Sequence, residues 1–253
     1  MSDKFRYTAG LNNVGSYQVS GKTFITASTV DDGEEDQIQF PDVTNNIKVK
    51  LDSAGGVTKN GYVLNGTFRL RESTNDFIHR TDETYVMWVK RVNPDSGGRQ
   101  YLLRIQNSLT QLLFDTNFTP PRLYIQHFMD GAPFREGYVE TDLLSMTHLV
   151  FAVNHDDSAK LYINNSLAIT IDLNTGDGYS GQVGGSSATF TVGTHGIDFD
   201  WGFIEVAKFQ STFGPSDVTE AYNGGNYLDL NSHSKSSDLE HYWLFGDDAG
   251  DSF

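Results

Sequence analysis

The chain has 253 residues, with 18 Lys and Arg against 33 Asp and Glu, so its formal charge is −15. That balance argues against a nucleic-acid grip, which needs clustered Lys and Arg, and against adsorption to an anionic membrane. The absence of cysteine excludes disulfide scaffolds, cysteine nucleophiles and zinc-thiolate sites.

The longest apolar runs are about five residues, as at Leu149–Val153, against the roughly 20 that a membrane-spanning helix needs. The start, Met1-Ser2-Asp3-Lys4-Phe5, lacks the apolar core of a signal peptide, so the expectation is a protein made in a cytosol and kept or assembled there. Six prolines are too few for a Pro-rich or disordered chain. Abundant aromatics beside 25 glycines and many Thr, Ser, Asn and Asp point to an all-β fold with many loops.

Short alternating runs between turn clusters dominate. Val14–Val19 and Phe24–Ala27 flank Ser20-Gly21-Lys22, a hairpin signal. The acidic run Asp31-Asp32-Gly33-Glu34-Glu35-Asp36 reads as a solvated turn rather than a ligand site. Gln37–Phe40 and Ile47–Leu51 read as strands about the Pro41-Asp42 turn. The small residues of Asp52-Ser53-Ala54-Gly55-Gly56, then Lys59-Asn60-Gly61, mark a boundary. The expected organisation is a small N-terminal β docking domain at 1–53, a linker at 54–61 and a larger domain at 62–253. Fifty residues make a thin core, so the first piece should dock against something.

Beyond the linker, Tyr62–Arg71 reads as one strand. Thr84–Val92 is almost continuously apolar and predicts a central strand buried on both faces. Gln100–Ile105 follows the Pro94-Asp95-Ser96-Gly97-Gly98 turn. In His148–Asn154 the residues Leu149, Phe151 and Val153 share a face, and Lys160–Ile163 turns Leu161 and Ile163 inward. Asn164-Asn165 is a two-residue hairpin loop, since Asn tolerates the positive φ it needs. Ser166–Asp172 returns with Leu167, Ile169 and Ile171 on one face. A Gly-rich loop at Gly176–Gly185 precedes strands at Thr189–Val192 and Trp201–Gln210. One short helix is predicted over Pro215–Asn223, with Pro at N1, acids in its first turn, an end at Gly224-Gly225, and Val218, Ala221 and Tyr222 on one face. Leu239–Phe245 is the last strand.

Several blocks, in order, carry a resemblance. They are Tyr85-Val86-Met87-Trp88-Val89-Lys90, Thr147-His148-Leu149-Val150-Phe151, Lys160-Leu161-Tyr162-Ile163-Asn164-Asn165-Ser166-Leu167, Phe203-Ile204-Glu205-Val206-Ala207-Lys208-Phe209 and Glu220-Ala221-Tyr222-Asn223-Gly224-Gly225. Together they resemble the concanavalin A-like, LamG-type jelly-roll domains over about three quarters of the chain. The implied fold is an all-β sandwich with one short helix near the C-terminus. The segment Phe5–Lys22, with the stretch from Tyr222 to Asp248, is similar to structural proteins of tailed phages, notably aquatic ones. That resemblance implies a capsid decoration or head-fibre protein, or a tail or adhesion component, on the virion surface and assembled in the host cytoplasm. Its partners would be the major capsid protein or neighbouring virion proteins. A homo-trimer or dimer follows by analogy, and there is no heptad run for a trimeric stalk.

Glycan hydrolases share the resembled fold. A retaining glycosidase needs two carboxylates about 5 Å apart, and the fold's endoglucanases place them in a Glu-x-Asp-x-x-Glu strand that is absent here. Glu205 has Phe203 and Ala207 at i±2 and reads as structural. The seven histidines show no His-Glu-x-x-His spacing, and no Gly-x-Ser-x-Gly elbow occurs. Ser16–Thr23 lacks the first glycine of a phosphate loop. No catalytic residue, cofactor or metal ligand is therefore assigned. The resemblance implies one Ca²⁺ as an alternative, with Asp198 and Asp200 beside the Gly193–Gly196 turn as candidate oxygen donors, though the same acids read as solvated loop residues. A carbohydrate site would need an exposed aromatic platform, for which Phe134, Tyr138 and Tyr179 stand in loop-like stretches. The expected function is a non-enzymatic capsid decoration protein docking through residues 1–53, with a glycan-binding tail or fibre adhesin as the alternative.

Overall fold

The structure, a computed structural model, describes the backbone of six strands within residues 1–81 and most of residues 82–244 with their side chains. Segments 93, 95–96, 107–109, 128–134, 155–156, 174–188, 193–199 and 245–253 lie outside the described residues. In chain order the strands begin with β1 (Val14–Val19), β2 (Lys22–Ala27), β3 (Asp36–Gln39), β4 (Lys48–Lys50), β5 (Asn60–Asn65) and β6 (Arg69–Ser73). They continue with β7 (Asp82–Arg91), β8 (Arg99–Gln106), β9 (Thr110–Asp115), β10 (Arg122–His127), β11 (Arg135–Glu140) and β12 (Thr147–Asn154). The last are β13 (Ser158–Ile163), β14 (Ser166–Asp172), β15 (Thr189–Val192), β16 (Asp200–Phe209) and β17 (Leu239–Leu244), with the helix α1 (Pro215–Tyr222) before β17.

Two antiparallel sheets face each other. One has the order β11-β10-β9-β8-β15-β6-β3, and the other β14-β13-β12-β7-β16-β5-β4. The second sheet also holds β17, because β16 is long enough to pair with β5 along Asp200–Phe203 and with β17 along Glu205–Phe209 on one flank. Side chains of both sheets meet between them, Met87, Phe151 and Trp201 from one against Leu103, Phe114 and Ile125 from the other. Each such fully buried side chain contributes roughly 1.5–3 kcal/mol of hydrophobic stabilisation. Trp201 Nε1 donates across this core to Gln100 Oε1 at 2.7 Å, and buried Lys208 donates to Glu240. This is the all-β sandwich with one C-terminal helix that the sequence led us to expect.

The central position of β7 follows from its apolar run, which is buried from Glu83 to Val89 between β12 and β16. α1 covers the outer face of the same sheet. It starts at Pro215, the Asp217 carboxylate accepts from the Gly214 N–H at 2.8 Å, and it ends at Asn223 with φ 48°. Its Val218 and Ala221 pack on Val86, Val150, Ala207 and Phe209.

Three departures from the sequence reading have local causes. Tyr62–Arg71 does not run as one strand: β5 joins one sheet and β6 the other, with the Asn65-Gly66 turn signal between them. Leu167 does not share a face with Ile169 and Ile171. A bulge shifts the β13–β14 register so that Leu167 pairs with Tyr162 while Ile169 pairs with Leu161, and Leu167 is 54% exposed. The stretch 110–140, in which no strand was expected, supplies β9, β10 and β11. Near the start of the chain, β1 pairs with β2, whereas β3 pairs with β6 and β4 with β5. Of the segment expected as a linker, 54–61, Asn60 and Gly61 thus belong to β5 and pair with β4.

Candidate functional site

The outer face of the first sheet carries the most distinctive surface among the described residues. In β10 the residues alternate, with Leu123, Ile125 and His127 buried and Arg122, Tyr124 and Gln126 half-exposed. In β11 Glu136, Tyr138 and Glu140 point outward. The register then aligns three rows across β8, β9, β10 and β11. The first is Arg99, Asp115, Arg122, Glu140; the second Tyr101, Leu113, Tyr124, Tyr138; the third Arg104, Gln111, Gln126, Glu136. Four strands spaced about 4.8 Å apart make each row roughly 14 Å long, with rows roughly 7 Å apart along the strands.

The middle row holds three tyrosines and is interrupted at β9 by Leu113, which is buried, as are Asp115 and Gln111 in the charged and polar rows on either side. Tyr124 and Tyr138 lie with ring centroids 5.3 Å apart, and Phe118 adds a third ring 6.5 Å from Tyr124. Tyr138 and Phe118 are 49% and 37% exposed and are the only exposed aromatic side chains among the described residues. The Arg122 guanidinium is held between two of these rings, 4.0 Å from the Phe118 centroid and 4.2 Å from that of Tyr138. Its Nη2 lies 3.7 Å from Glu140 Oε1. A hydrogen bond to Tyr124 and the neighbouring tyrosines and Glu140 hold its pKa above the ordinary arginine value. Arg99 Nε pairs with Asp115 Oδ2 at 3.1 Å, Arg104 stacks over Tyr101 at 5.0 Å, and Gln126 Nε2 donates to Glu136 Oε2 at 3.1 Å. The face is thus preorganised: its rings are wedged by guanidinium groups and its charges are paired.

Tyr138 was expected in a loop; it stands on a strand, β11, at the edge of this face. Phe134 and Tyr179 lie outside the described residues, as does Asp198, and of Asp200 only the backbone at the start of β16 is described. Among the described residues no group of three or more His, Asp or Glu is placed to hold a metal ion. Glu205 is buried, and its Oε2 accepts from the Tyr242 hydroxyl at 2.7 Å; Tyr242 in turn contacts the Tyr227 hydroxyl at 2.9 Å. Burial and the Glu205 charge push the Tyr242 pKa upward, so the phenol stays a proton donor to Glu205.

The described histidines are packed. His127 Nδ1 bonds Thr110 Oγ1 at 2.9 Å. His233 lies parallel to Phe213, its Nε2 bonding the Asp217 carbonyl and its Nδ1 accepting from the Lys235 N–H. His241 stacks on Trp243. His148 lies against Trp88 at 4.8 Å with neither ring nitrogen hydrogen-bonded, and burial lowers its pKa to about 3.

Comparison with protein-family models and with curated protein sequences gave no match. Solved structures do match in fold. The crystal structure of the botulinum neurotoxin serotype D ligand binding domain in complex with N-acetylneuraminic acid is 13% identical, with a TM-score of 0.54 over 81% of this chain and 49% of that one. The receptor binding domain of botulinum neurotoxin D is 12% identical, with a TM-score of 0.54 over 72% of this chain and 46% of that one. The chain spans about half the length of these structures. They show the same β-sandwich fold.

Proposed function

We propose that this chain is a non-enzymatic surface-displayed protein whose β-sandwich recognises glycan on a host cell. The observation that carries this reading is the aromatic group Phe118, Tyr124 and Tyr138, exposed or half-exposed at the β10–β11 edge of the sheet and flanked by hydrogen-bonding side chains. Sugar rings present C–H faces to aromatic rings and hydroxyls to carboxylates and amides, and this face offers both in fixed rows. The β-sandwich it shares with receptor and ligand binding domains of neurotoxins supports the same class, although their ligands are theirs. Glu205, the one strand acid examined for catalysis, is committed to Tyr242, which favours a binding over a hydrolytic role. A glycan-array screen of the full chain, with and without Ca²⁺, tests the reading. Binding to a defined set of glycans is expected, and silence across the array would end it.

A second reading, capsid decoration, has its own support. The similarity of Phe5–Lys22 to phage structural proteins supports it, and a charge of −15 suits an outer surface away from packaged DNA. Residues 1–53 would then dock on the major capsid protein or its neighbours, by strand addition to exposed sheet edges. Antibody-labelling electron microscopy of purified particles separates the positions. Label over the head is expected for decoration, and label at the tail tip for an adhesin.

A further inference from the structure

We propose that α1 and the turn after it form an acid-released cover: protonation of His148 opens them from the outer face of the second sheet and leaves the core between the sheets in place. The inference is independent of the glycan-binding reading. It starts from a row that the register aligns across that face, His148 on β12, Trp88 on β7 and Glu205 on β16. All three are at most 2% exposed. Tyr222, the last residue of α1, closes over the first two, its ring 5.7 Å from that of His148 and 6.1 Å from that of Trp88. Tyr227, Met146 and Ile204 pack around Trp88. Neither ring nitrogen of His148 has a hydrogen-bond partner under this cover, and nor does Trp88 Nε1.

An imidazolium carries a charge and two N–H groups, and burial is costly unless these are paired. Among the described residues no carboxylate touches the ring. Glu205 lies one strand beyond Trp88 and accepts from Tyr242. Glu220 on α1 accepts from the N–H and the hydroxyl of Ser234. On β13, Asn164 Oδ1 takes the backbone N–H of His148, and Tyr162 and Lys160 follow along the strand. On β7 the next residue of this face is Lys90, a further cation. Tyr222, Tyr227 and Tyr242 bring rings and hydroxyls. Burial accordingly holds the His148 pKa at about 3, and a proton reaches the ring near pH 5 only with water.

The cover is the part that can yield. The core between the sheets lies on the opposite side of the same strands, through Met87, Val89, Leu149 and Phe151, and does not include His148. α1 has eight residues, too few to persist as a helix away from the sheet, and it is anchored by Val218 and Ala221. After it Asn223, Gly224 and Gly225 have φ of 48°, 65° and 88°, three consecutive left-handed residues that serve as a swivel for Tyr222. In the open form His148 takes its proton at the ordinary value, so the open fraction rises roughly tenfold for each unit of pH below about 6.5.

Hydrogen exchange of the full chain at pH 7, 6, 5 and 4, expressed as protection relative to the intrinsic rate at each pH, tests this. Protection of the Val218, Asn223 and Asn226 amides should fall roughly tenfold per unit below pH 6.5. At pH 5 it should lie at least a hundredfold below that of β9 and β10. His148→Phe and His148→Leu should each abolish the pH slope at the cover. His233→Gln should keep it, although His233 packs on Phe213 beneath the same segment with Glu220 3.7 Å from its Nε2. Equal protection of the cover and of β9 and β10 at every pH would overturn the proposal, because the cover would then open only with the whole fold. A slope that survives both His148 variants, or one that His233→Gln removes, would overturn the assignment to His148.

Discussion

At Gly137 a single hydrogen closes the side of the sandwich. An added Cβ there would sit 2.6 Å from Ile169 Cγ2 and 3.0 Å from Ile171 Cγ2, where β11 packs on β14. Those methyls are branched at the Cβ of stiff side chains, so they yield little. Gly137→Ala gains a few tenths to 1 kcal/mol of backbone entropy, but the overpacking costs roughly 1–3 kcal/mol. The net expectation is destabilisation, read as a lower urea midpoint with an unchanged slope. His148 makes a different prediction. Its native pKa of about 3 lies below the ordinary 6.5 because burial disfavours the imidazolium. The unfolded chain therefore takes up a proton that the native state refuses. Stability from this residue is complete above pH 6.5 and is lost as pH falls toward 3, at roughly 1.4 kcal/mol per pH unit. His148→Phe keeps a ring against Trp88 and removes the titration. Between pH 7 and pH 5 the variant should lose about 2 kcal/mol less than the parent in urea unfolding; equal losses would place the titration elsewhere. Neither residue's role was legible in the sequence. A glycine in a polar stretch and a histidine beside an apolar run acquire meaning only from the neighbouring strand.

Elements with chemical punctuation were legible, and those without it were not. The β13–β14 hairpin is one of the former. Asn164 and Asn165 have φ of 47° and 67°, the pair of positive values a two-residue loop requires. Asn164 does more, because its N–H donates to the His148 carbonyl and its Oδ1 accepts from the His148 N–H at 2.9 Å. Asn164→Gly removes only the side-chain bond and should cost about 1 kcal/mol. Asn164→Ala removes the same bond and also loses asparagine's tolerance of the left-handed region while keeping a Cβ, and should cost roughly 2–3 kcal/mol. Thermal or urea unfolding of the two variants separates the effects, and equal losses would mean the turn angle is not limiting. α1 was legible for the same kind of reason, with Pro at its start and Gly past its end. By contrast β9 has no alternation, as all six of its residues are buried. In β10 and β11 the middle outward position holds a tyrosine rather than a plain polar residue, which blurs the period of two. The tyrosine face was hidden for that reason: its aromatic residues weaken the pattern that announces a strand. The alternation Leu123, Ile125, His127 was the available signal. The bulge that turns Leu167 outward left no mark in the sequence at all.

On the scale of the whole molecule, composition correctly indicated an all-β fold, but pairing between distant segments was beyond its reach. The two sheets are extended by β3 and β4, which come from before residue 54 and pair with β6 and β5. Charge, unlike pairing, sums over the chain and can be read directly. The folded state confines 15 surplus negative charges that the expanded unfolded chain spreads apart, so repulsion lowers stability. Salt acts on this in two opposing ways. It screens the repulsion, as the Debye length falls from about 30 Å at 0.01 M to about 8 Å at 0.15 M. It also weakens exposed pairs such as Arg99–Asp115 and Arg122–Glu140, each worth at most about 1 kcal/mol. Acids outnumber bases by 33 to 18, so at least 15 carboxylates have no cation to lose. The urea midpoint should therefore rise when NaCl is raised from 0.01 to 0.15 M, and most of the rise should come within that range. A midpoint that falls would mean that local pairs outweigh the net field. In that case the paired charges of the tyrosine face would be a principal source of stability, and Arg99→Gln would reproduce the loss in low salt.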